Sequence, residues 1–129
     1  MIPLEEVEQK ALVQWIRAKK LFFFAPMSEN NAHKQNRHYA MIAEAKAKAM
    51  GKIKGVSDII VFLPTKILFI ELKRQKKKLK NGNFSNSHSK PKKEQIEFLG
   101  KVNLYPYAKG YVAYGAKEAI EIIEEEMKR

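Results

Sequence analysis

The sequence predicts an α/β fold in which a small mixed β-sheet is flanked by helices. Apolar residues recur at three- and four-residue steps near both ends of the chain, as they do in amphipathic helices. Between these segments, two runs of β-branched and aromatic residues are separated only by Pro64 and Thr65, which is typical of a β-hairpin. With 129 residues, 45% of them hydrophobic, we expect a single domain over residues 1–129.

The N-terminal part of the chain predicts two helices with a short strand between them. Residues 4–18 predict a helix, because acidic residues fill its first turn and one face is apolar. The residues expected on the buried face are Leu4, Val7, Ala11 and Trp15. The segment "LFFF" (21–24) predicts a short buried strand and "APMSENN" (25–31) a loop. Residues 34–49, rich in alanine and lysine, predict a second helix that stops at Gly51.

The middle of the chain predicts the centre of the sheet. Residues 56–63 and 66–73 would form the two strands of the hairpin, and both faces of both strands are mostly apolar. Strands with two apolar faces are covered on both sides. We therefore expect the hairpin to lie centrally in a sheet with helices against both of its faces.

The remainder of the chain predicts a loop, a helix, a strand and a final helix. Residues 74–90 contain Gly, Asn, Ser and Lys throughout, so they predict a flexible, basic loop without regular structure. Pro91 suits the first turn of a third helix that runs to Asn103. The residues expected on its buried side are Ile96, Phe98 and Leu99. Residues 110–115 predict the last strand, and residues 116–129 a helix whose acidic residues face solvent.

The charge of the chain favours a polyanionic partner. Lysine and arginine total 25 against 14 aspartate and glutamate residues, which gives a net charge of +11 and a pI near 9.8. Six of the eight residues in "KRQKKKLK" (73–80) are basic, directly after the second strand of the hairpin. Nucleic acid is the expected partner. The alternative is that the excess of lysine only keeps the protein soluble.

The composition argues against several other classes of protein. The chain has no cysteine, which excludes disulfides and cysteine-based zinc sites. No stretch approaches the roughly 18 apolar residues of a membrane-spanning helix. The N-terminus also lacks the basic and apolar regions of a signal peptide. We expect a cytoplasmic protein.

Charged residues stand inside the predicted hairpin, where an isolated charge is unfavourable. A turn on Pro64 and Thr65 places Asp58 opposite Glu71, and like charges on opposed residues destabilise a sheet. Lys73 follows Glu71 on the same face of its strand. A divalent cation bound by both carboxylates would remove the repulsion and leave room for water and a phosphate oxygen. The alternative is that the acids lie at strand ends, solvated or paired with lysines.

The order of these motifs resembles a nuclease family. "GVSD" (55–58) precedes "ELK" (71–73), as an acid on one strand precedes Glu-x-Lys on the next in the PD-(D/E)XK nucleases. The N-terminal "EEVEQKALVQW", the later "KKEQIEF" and the strand "GYVAY" extend the resemblance to the VRR-NUC branch, the virus-type replication-repair nucleases. The resemblance covers nearly the whole chain and implies a restriction-endonuclease-like fold. Ser57 stands where the signature has proline.

The resemblance implies the residues of an active site. The metal ligands would be Asp58, Glu71, the main-chain carbonyl of Leu72 and a glutamate of the first helix. Glu5 is the expected glutamate because it lies four residues before Gln9, as in the family pattern, and Glu8 is the alternative one turn on.

The resemblance also assigns roles to residues that do not bind the metal. Lys73 would orient the attacking water and stabilise the charge on the phosphate, and Gln95 would complete the site from the third helix. The residues expected to contact the phosphate backbone of DNA are Arg74, Lys76, Lys77, Lys78, Lys80 and Lys92.

The activity implied is that of a Mg2+- or Mn2+-dependent DNA endonuclease. Free-standing VRR-NUC domains of this size resemble phage-encoded, structure-selective nucleases, which implies branched substrates such as four-way (Holliday) junctions, a homodimer, and a bacterial or phage-infected cell. Two alternatives stay open. The first is a basic DNA-binding module without hydrolytic activity. The second is an endonuclease that cuts at a defined sequence, as restriction enzymes do.

Overall fold

A four-stranded mixed sheet lies at the centre of the structure and is flanked by helices. The computed structural model describes residues 2–27, 37–85 and 90–129. In chain order the elements are α1 (Glu5–Ala18), β1 (Phe23–Phe24), α2 (Arg37–Ala49), β2 (Ile59–Phe62), β3 (Ile67–Lys73), α3 (Lys93–Val102), β4 (Ala108–Tyr114) and α4 (Ala116–Met127). The predicted order of helices and strands is confirmed. Within the described ranges, no helix is long and apolar enough to cross a membrane.

The predicted hairpin forms the middle of the sheet. The strand order is β1-β2-β3-β4, with β2 antiparallel to both β1 and β3, and β4 parallel to β3. The amide of Leu63 donates to the carbonyl of Lys66 over 2.8 Å, which closes the two-residue turn predicted at Pro64 and Thr65. Ile59 pairs with Ile70, and Asp58 and Glu71 are the next residue along each chain segment. Extending the register by one residue would place the two acids opposite each other, and burial together with the neighbouring Asp58 raises the pKa of Glu71.

Helices α1 and α4 cover one face of the sheet. The residues of β3 alternate, so Leu68, Ile70 and Leu72 point to this side and are fully buried. They pack in one core with Leu12, Ile16, Ile59, Val61, Ala119 and Ile123. Phe69, Glu71 and Lys73 therefore lie on the opposite face, toward α3. Glu71 and Lys73 thus lie on the face of the sheet away from the main apolar core.

The predicted buried face of α1 was wrong. Leu4 and Val7 are 62% and 54% exposed, whereas Glu8, Leu12 and Ile16 are buried. The true face follows the spacing of Glu8, Leu12 and Ile16, and it includes an acid that hydrophobic spacing assigns to the outside. Burial of Glu8 is possible because its Oε1 accepts a hydrogen bond from the amide of Ala116, at the start of α4, over 3.3 Å.

Helix α3 packs on the other face, with a different buried side from the predicted one. Leu99 is buried and the ring of Phe98 contacts that of Phe69, with centroids 5.9 Å apart, but Ile96 is 56% exposed. The side that meets the sheet is led by Gln95, which contacts Glu71. In α3, as in α1, the side of the helix that meets the sheet includes a polar residue, so the spacing of apolar residues does not identify that side. The helix also begins at Lys93, two residues after Pro91.

The ends of the last strand and helix differ from the prediction. Strand β4 begins at Ala108 and ends at Tyr114, because Gly115 has a φ of 94° and begins the turn into α4. In α4 the expectation that all acids face solvent was wrong for Glu126, which is 3% exposed. Its carboxylate accepts from the hydroxyl of Tyr111 over 2.7 Å and from the ammonium of Lys66 over 3.4 Å.

The loop predicted over residues 74–90 is partly regular. Residues 77–85 form a tight turn in which Lys78 and Phe84 face each other as an antiparallel bridge. The expectation of an irregular segment was therefore wrong for this part. Residues 86–89 of that loop, 28–31 of the predicted N-terminal loop and 34–36 of the predicted second helix lie outside the described residues.

Tyr111→Phe tests the buried contact of Glu126. The substitution leaves Glu126 Oε2 without the Tyr111 donor, and we expect it to lower the free energy of unfolding by about 1–2 kcal/mol at pH 7. The hydroxyl and Lys66 hold the pKa of Glu126 below its ordinary value of 4.5, so their stabilisation is present above that pH and is lost as the pH falls through the lowered pKa. Urea unfolding at pH 7 and at pH 3 should show the difference between wild type and variant shrinking in acid. An equal difference at both pH values would contradict this account.

Candidate active site

Two carboxylates meet at the end of the central hairpin. Asp58 directly precedes β2, and its Oδ2 accepts a hydrogen bond from the amide of Leu72 over 2.7 Å. Glu71 is the neighbouring residue of β3 and is 1% exposed. The bond from Leu72 fixes the Asp58 carboxylate beside the strand that carries Glu71. The pair is therefore positioned by the backbone of the hairpin itself.

The environment of Glu71 is unfavourable for a second negative charge. The pKa of Glu71 is raised to about 8, first by burial and second by the adjacent Asp58, while the ammonium of Lys73 opposes the shift. Glu71 Oε1 is buried and has no hydrogen-bond partner among the described residues. An unsatisfied carboxylate oxygen in such a place is costly. A cation or a hydrogen-bond donor next to this oxygen would satisfy it.

Two side chains hold the other oxygen of Glu71. The amide nitrogen of Gln95 donates to Glu71 Oε2 over 3.0 Å, and the ammonium of Lys73 lies 3.6 Å from the same atom. The carbonyl oxygen of Gln95 in turn accepts from the amide of Lys92 over 2.7 Å. Gln95 therefore links the start of α3 to the carboxylate pair. Lys73 is 7% exposed, so its charge also lies within the site.

Gly55 sets the distance between α3 and the chain leading to Asp58. Its φ is +83°, and a Cβ at this position would lie 2.4 Å from the backbone carbon of Glu94 and 2.8 Å from the amide nitrogen of Gln95. Only glycine allows so close an approach. Ser57 is 2% exposed, and its hydroxyl has no hydrogen-bond partner among the described residues. Ser57, which stands where the PD-(D/E)XK signature has proline, is thus buried directly before Asp58.

The two candidate acids of α1 differ in position. Glu8 lies on the face of the sheet opposite Glu71 and contacts the start of α4, and its Oε2 is buried without a partner in the described structure. Glu5 is partly exposed in the first turn of α1. Among the described residues, no three acidic or histidine side chains converge as a metal-binding group. The choice of Glu5 over Glu8 stays a prediction.

Arg74, directly after β3, contacts the segment that precedes α1. Its guanidinium donates to the carbonyl of Pro3 over 2.9 Å and to that of Ile2 over 2.7 Å. This residue was expected to contact DNA, but in the structure its donors hold the N-terminal segment that leads to Glu5. Sequence reasoning missed this role because a main-chain contact with residues over 70 positions away leaves no local pattern.

The other predicted DNA-binding residues lie around the exit from β3. Lys76 stacks on the ring of Tyr114, 4.4 Å from its centroid. Lys77, Lys78 and Lys80 are exposed on the tight turn, and Lys92 is exposed before α3. Within seven residues after Lys73, the chain thus carries four of these lysines: Lys76, Lys77, Lys78 and Lys80.

A divalent cation fits the carboxylate pair. Hard cations are bound by carboxylate oxygens, and Glu71 Oε1 is a buried oxygen without a partner next to a second carboxylate. A cation there would satisfy that oxygen and offset the burial and the nearby charge of Asp58, which together raise the pKa of Glu71. Asp58 and Glu71 are the two side chains that would hold it.

The four-stranded mixed sheet flanked by helices is an α/β fold. A solved structure described as a VRR_NUC domain protein is similar to it, with a TM-score of 0.66 over 99% of this chain and 91% of that chain, at 20% sequence identity. The predicted α/β fold is confirmed, and the predicted resemblance to VRR-NUC proteins is confirmed at the level of fold. No family model matches the sequence. No curated protein matches it either.

Gly55→Ala tests whether close packing of α3 supports the site. We expect a loss of about 3 kcal/mol or more in the free energy of unfolding, since the methyl group would collide with backbone atoms of α3. Gly51→Ala is the matched control, because its φ is +86° and no atom lies within 4 Å of the added Cβ. It should cost only the conformational strain, about 1 kcal/mol. Equal losses in urea unfolding would show that the approach of α3 is not constrained at Gly55.

Proposed function

We propose that the protein is a Mg2+-dependent endonuclease that hydrolyses phosphodiester bonds in branched DNA. The observation that carries the proposal is the buried pair of Asp58 and Glu71 with Lys73 and Gln95 around it. The similarity of the whole chain to a VRR_NUC domain protein supports the same reading. Mn2+ is an alternative cofactor with the same preference for oxygen ligands.

Each residue of the site has a separate proposed role in hydrolysis. Asp58 and Glu71 would hold the metal together with the main-chain carbonyl of Leu72 and Glu5, and Gln95 keeps Glu71 in place. A metal held by these residues would neutralise phosphate charge and lower the pKa of a water molecule. Lys73 orients the attacking water and stabilises the charge that develops on the phosphate. The water oxygen bonds to phosphorus as the bond to the leaving oxygen breaks.

The distribution of charge supports a particular orientation of DNA. Eight of the 14 acidic residues lie on the two helices that cover the other face of the sheet: Glu5, Glu6, Glu8, Glu118, Glu121, Glu124, Glu125 and Glu126. Lys76 packs on Tyr114, the partner of Lys73 in the sheet, and the main chain of Lys92 donates to Gln95, so both basic segments begin next to residues around Glu71. A polyanion would be attracted to these lysines and repelled by the exposed acids of α4. DNA would therefore approach the face covered by α3, with its backbone along Lys77, Lys78, Lys80 and Lys92.

Two other functions fit the basic surface less well. A binding module without activity would use the same lysines, but it has no need to keep two opposed carboxylates buried. A sequence-specific endonuclease would need side chains that contact base edges, whereas the contacts proposed for these lysines are with phosphates. Cleavage assays distinguish all three, because they differ in metal dependence and in the choice of substrate.

Glu71→Gln tests the proposed chemistry. We expect cleavage of DNA in Mg2+ to fall at least about a hundredfold, because the loss of a metal ligand removes several kcal/mol of transition-state stabilisation. Glu97→Gln, an exposed neutral substitution on α3, is the matched control and should cut like the wild type. Labelled DNA is incubated with Mg2+, with Mn2+ and with chelator. Cleavage by Glu71→Gln at the wild-type rate would overturn the proposal, and binding without cleavage in every metal would favour the binding module.

The proposed substrate and assembly are tested separately. A four-way junction should be cut at least about tenfold faster than a linear duplex of the same sequence, and cuts should be paired across the junction because a dimer presents two sites. Sedimentation should give twice the mass of the 14.9 kDa chain. A monomer that cuts both substrates equally would refute junction selectivity while leaving the nuclease activity intact.

A further inference from the structure

The tight turn after β3, residues 77–85, is held by its own backbone. The amide of Leu79 donates to the carbonyl of Asn83 over 2.7 Å, and the amide of Ser85 donates to that of Lys77 over 2.7 Å. The tip is closed by Gly82, whose φ is +87° and whose amide donates to the carbonyl of Leu79 over 3.0 Å. The basic turn, as we name these residues, is therefore a short folded hairpin rather than a slack loop.

The basic turn exposes an aromatic ring. Phe84 is 59% exposed and Leu79 is 44% exposed. Phe84 faces Lys78 across the antiparallel bridge, so a ring and a lysine lie side by side on one face. Within the described ranges, Lys77, Lys78 and Lys80 form no ion pair. Phe84, Leu79 and these lysines thus form one exposed surface that is both apolar and positively charged.

The position of the basic turn links it to the carboxylate pair. Three residues separate Lys73, the last residue of β3, from the start of the turn. Lys76, the residue before the turn, packs on the ring of Tyr114, which is the partner of Lys73 in the sheet. The base of the turn is thus attached to the strand pair that carries Glu71. A ligand held on the turn would lie next to the site of hydrolysis.

We propose that Phe84 stacks on an unpaired nucleobase while the lysines of the basic turn bind the flanking phosphates. Aromatic rings bind bases through their faces without reading sequence, and lysines supply the electrostatic part of the same contact. The inference rests on the proposed function and specifies it: the preferred substrate contains an unpaired or unstacked base, as at a branch point, beside the cleaved bond.

Two other occupants of this surface predict different behaviour. An anionic membrane also attracts lysines and accepts an exposed ring. A second copy of the chain could cover Phe84 with apolar surface. Unpaired DNA is favoured over both because the turn is continuous with the strand of Glu71 and Lys73, where a phosphodiester is expected. Each alternative becomes an outcome of the experiment.

The test measures binding without cleavage. An oligonucleotide with one unpaired 2-aminopurine at a branch point is titrated with the full chain in chelator, and quenching of the base reports stacking. Phe84→Ala should weaken binding about five- to a hundredfold and abolish the quenching, whereas Phe84→Trp should restore both. Phe84→Leu retains apolar area without an aromatic face and should not restore quenching. Phe22→Ala is the matched control, since Phe22 is 68% exposed and lies beside Phe62 at the opposite end of the hairpin.

The outcomes separate this inference from the proposed function. Normal binding and quenching by Phe84→Ala would overturn the stacking, whether or not the wild type cuts DNA in Mg2+. Loss of binding to vesicles of anionic phospholipid, or of self-association, with DNA binding unchanged would overturn it in favour of the other occupants. Loss of quenching in Phe84→Ala together with a wild type that cuts nothing would leave the stacking standing and reject the nuclease. Matching thermal melts of the variants confirm that they are folded.

Discussion

The burial of Glu71 beside Asp58 is the constraint on which the site depends. The hairpin brings the two acids next to each other, and Glu71 is 1% exposed, so the charged form of Glu71 is disfavoured. That cost is visible in the pKa of Glu71, which is raised to about 8, and in its unpartnered Oε1. A cation bound by the pair, as we propose, would offset that cost.

The surrounding structure can be understood as support for that pair. Gly55 lets α3 approach closely enough for Gln95 to reach Glu71, and the bond from Leu72 to Asp58 prevents the second acid from turning away. Arg74 holds the segment before α1 next to the end of β3. These contacts lie at the end of the central strands, so we expect the loss of any of them to change the geometry of the pair.

The sequence predicts the hairpin, which depends on alternation and turn geometry. It does not predict the buried side of a helix when that side includes a polar residue. The hairpin follows from its two-residue turn, and the facing of Asp58 and Glu71 follows from the hairpin. The buried sides of α1 and α3 do not, because they run through Glu8 and Gln95, whose partners are distant in the chain. The close contact of Gly55 could not be predicted from the sequence, since Glu94 and Gln95 lie on α3, 39 and 40 positions later in the chain.

The most direct test of the account is equilibrium binding of Mn2+ to the purified chain, followed by the electron paramagnetic resonance signal of the free ion. The account predicts saturable binding by the wild type and by Glu97→Gln, and loss of that binding in Glu71→Gln with the fold retained. This measurement needs no substrate and therefore reports on the carboxylate pair alone. Binding that survives in Glu71→Gln, or a wild type that takes up no metal, would contradict the claim that Asp58 and Glu71 are held for a cation.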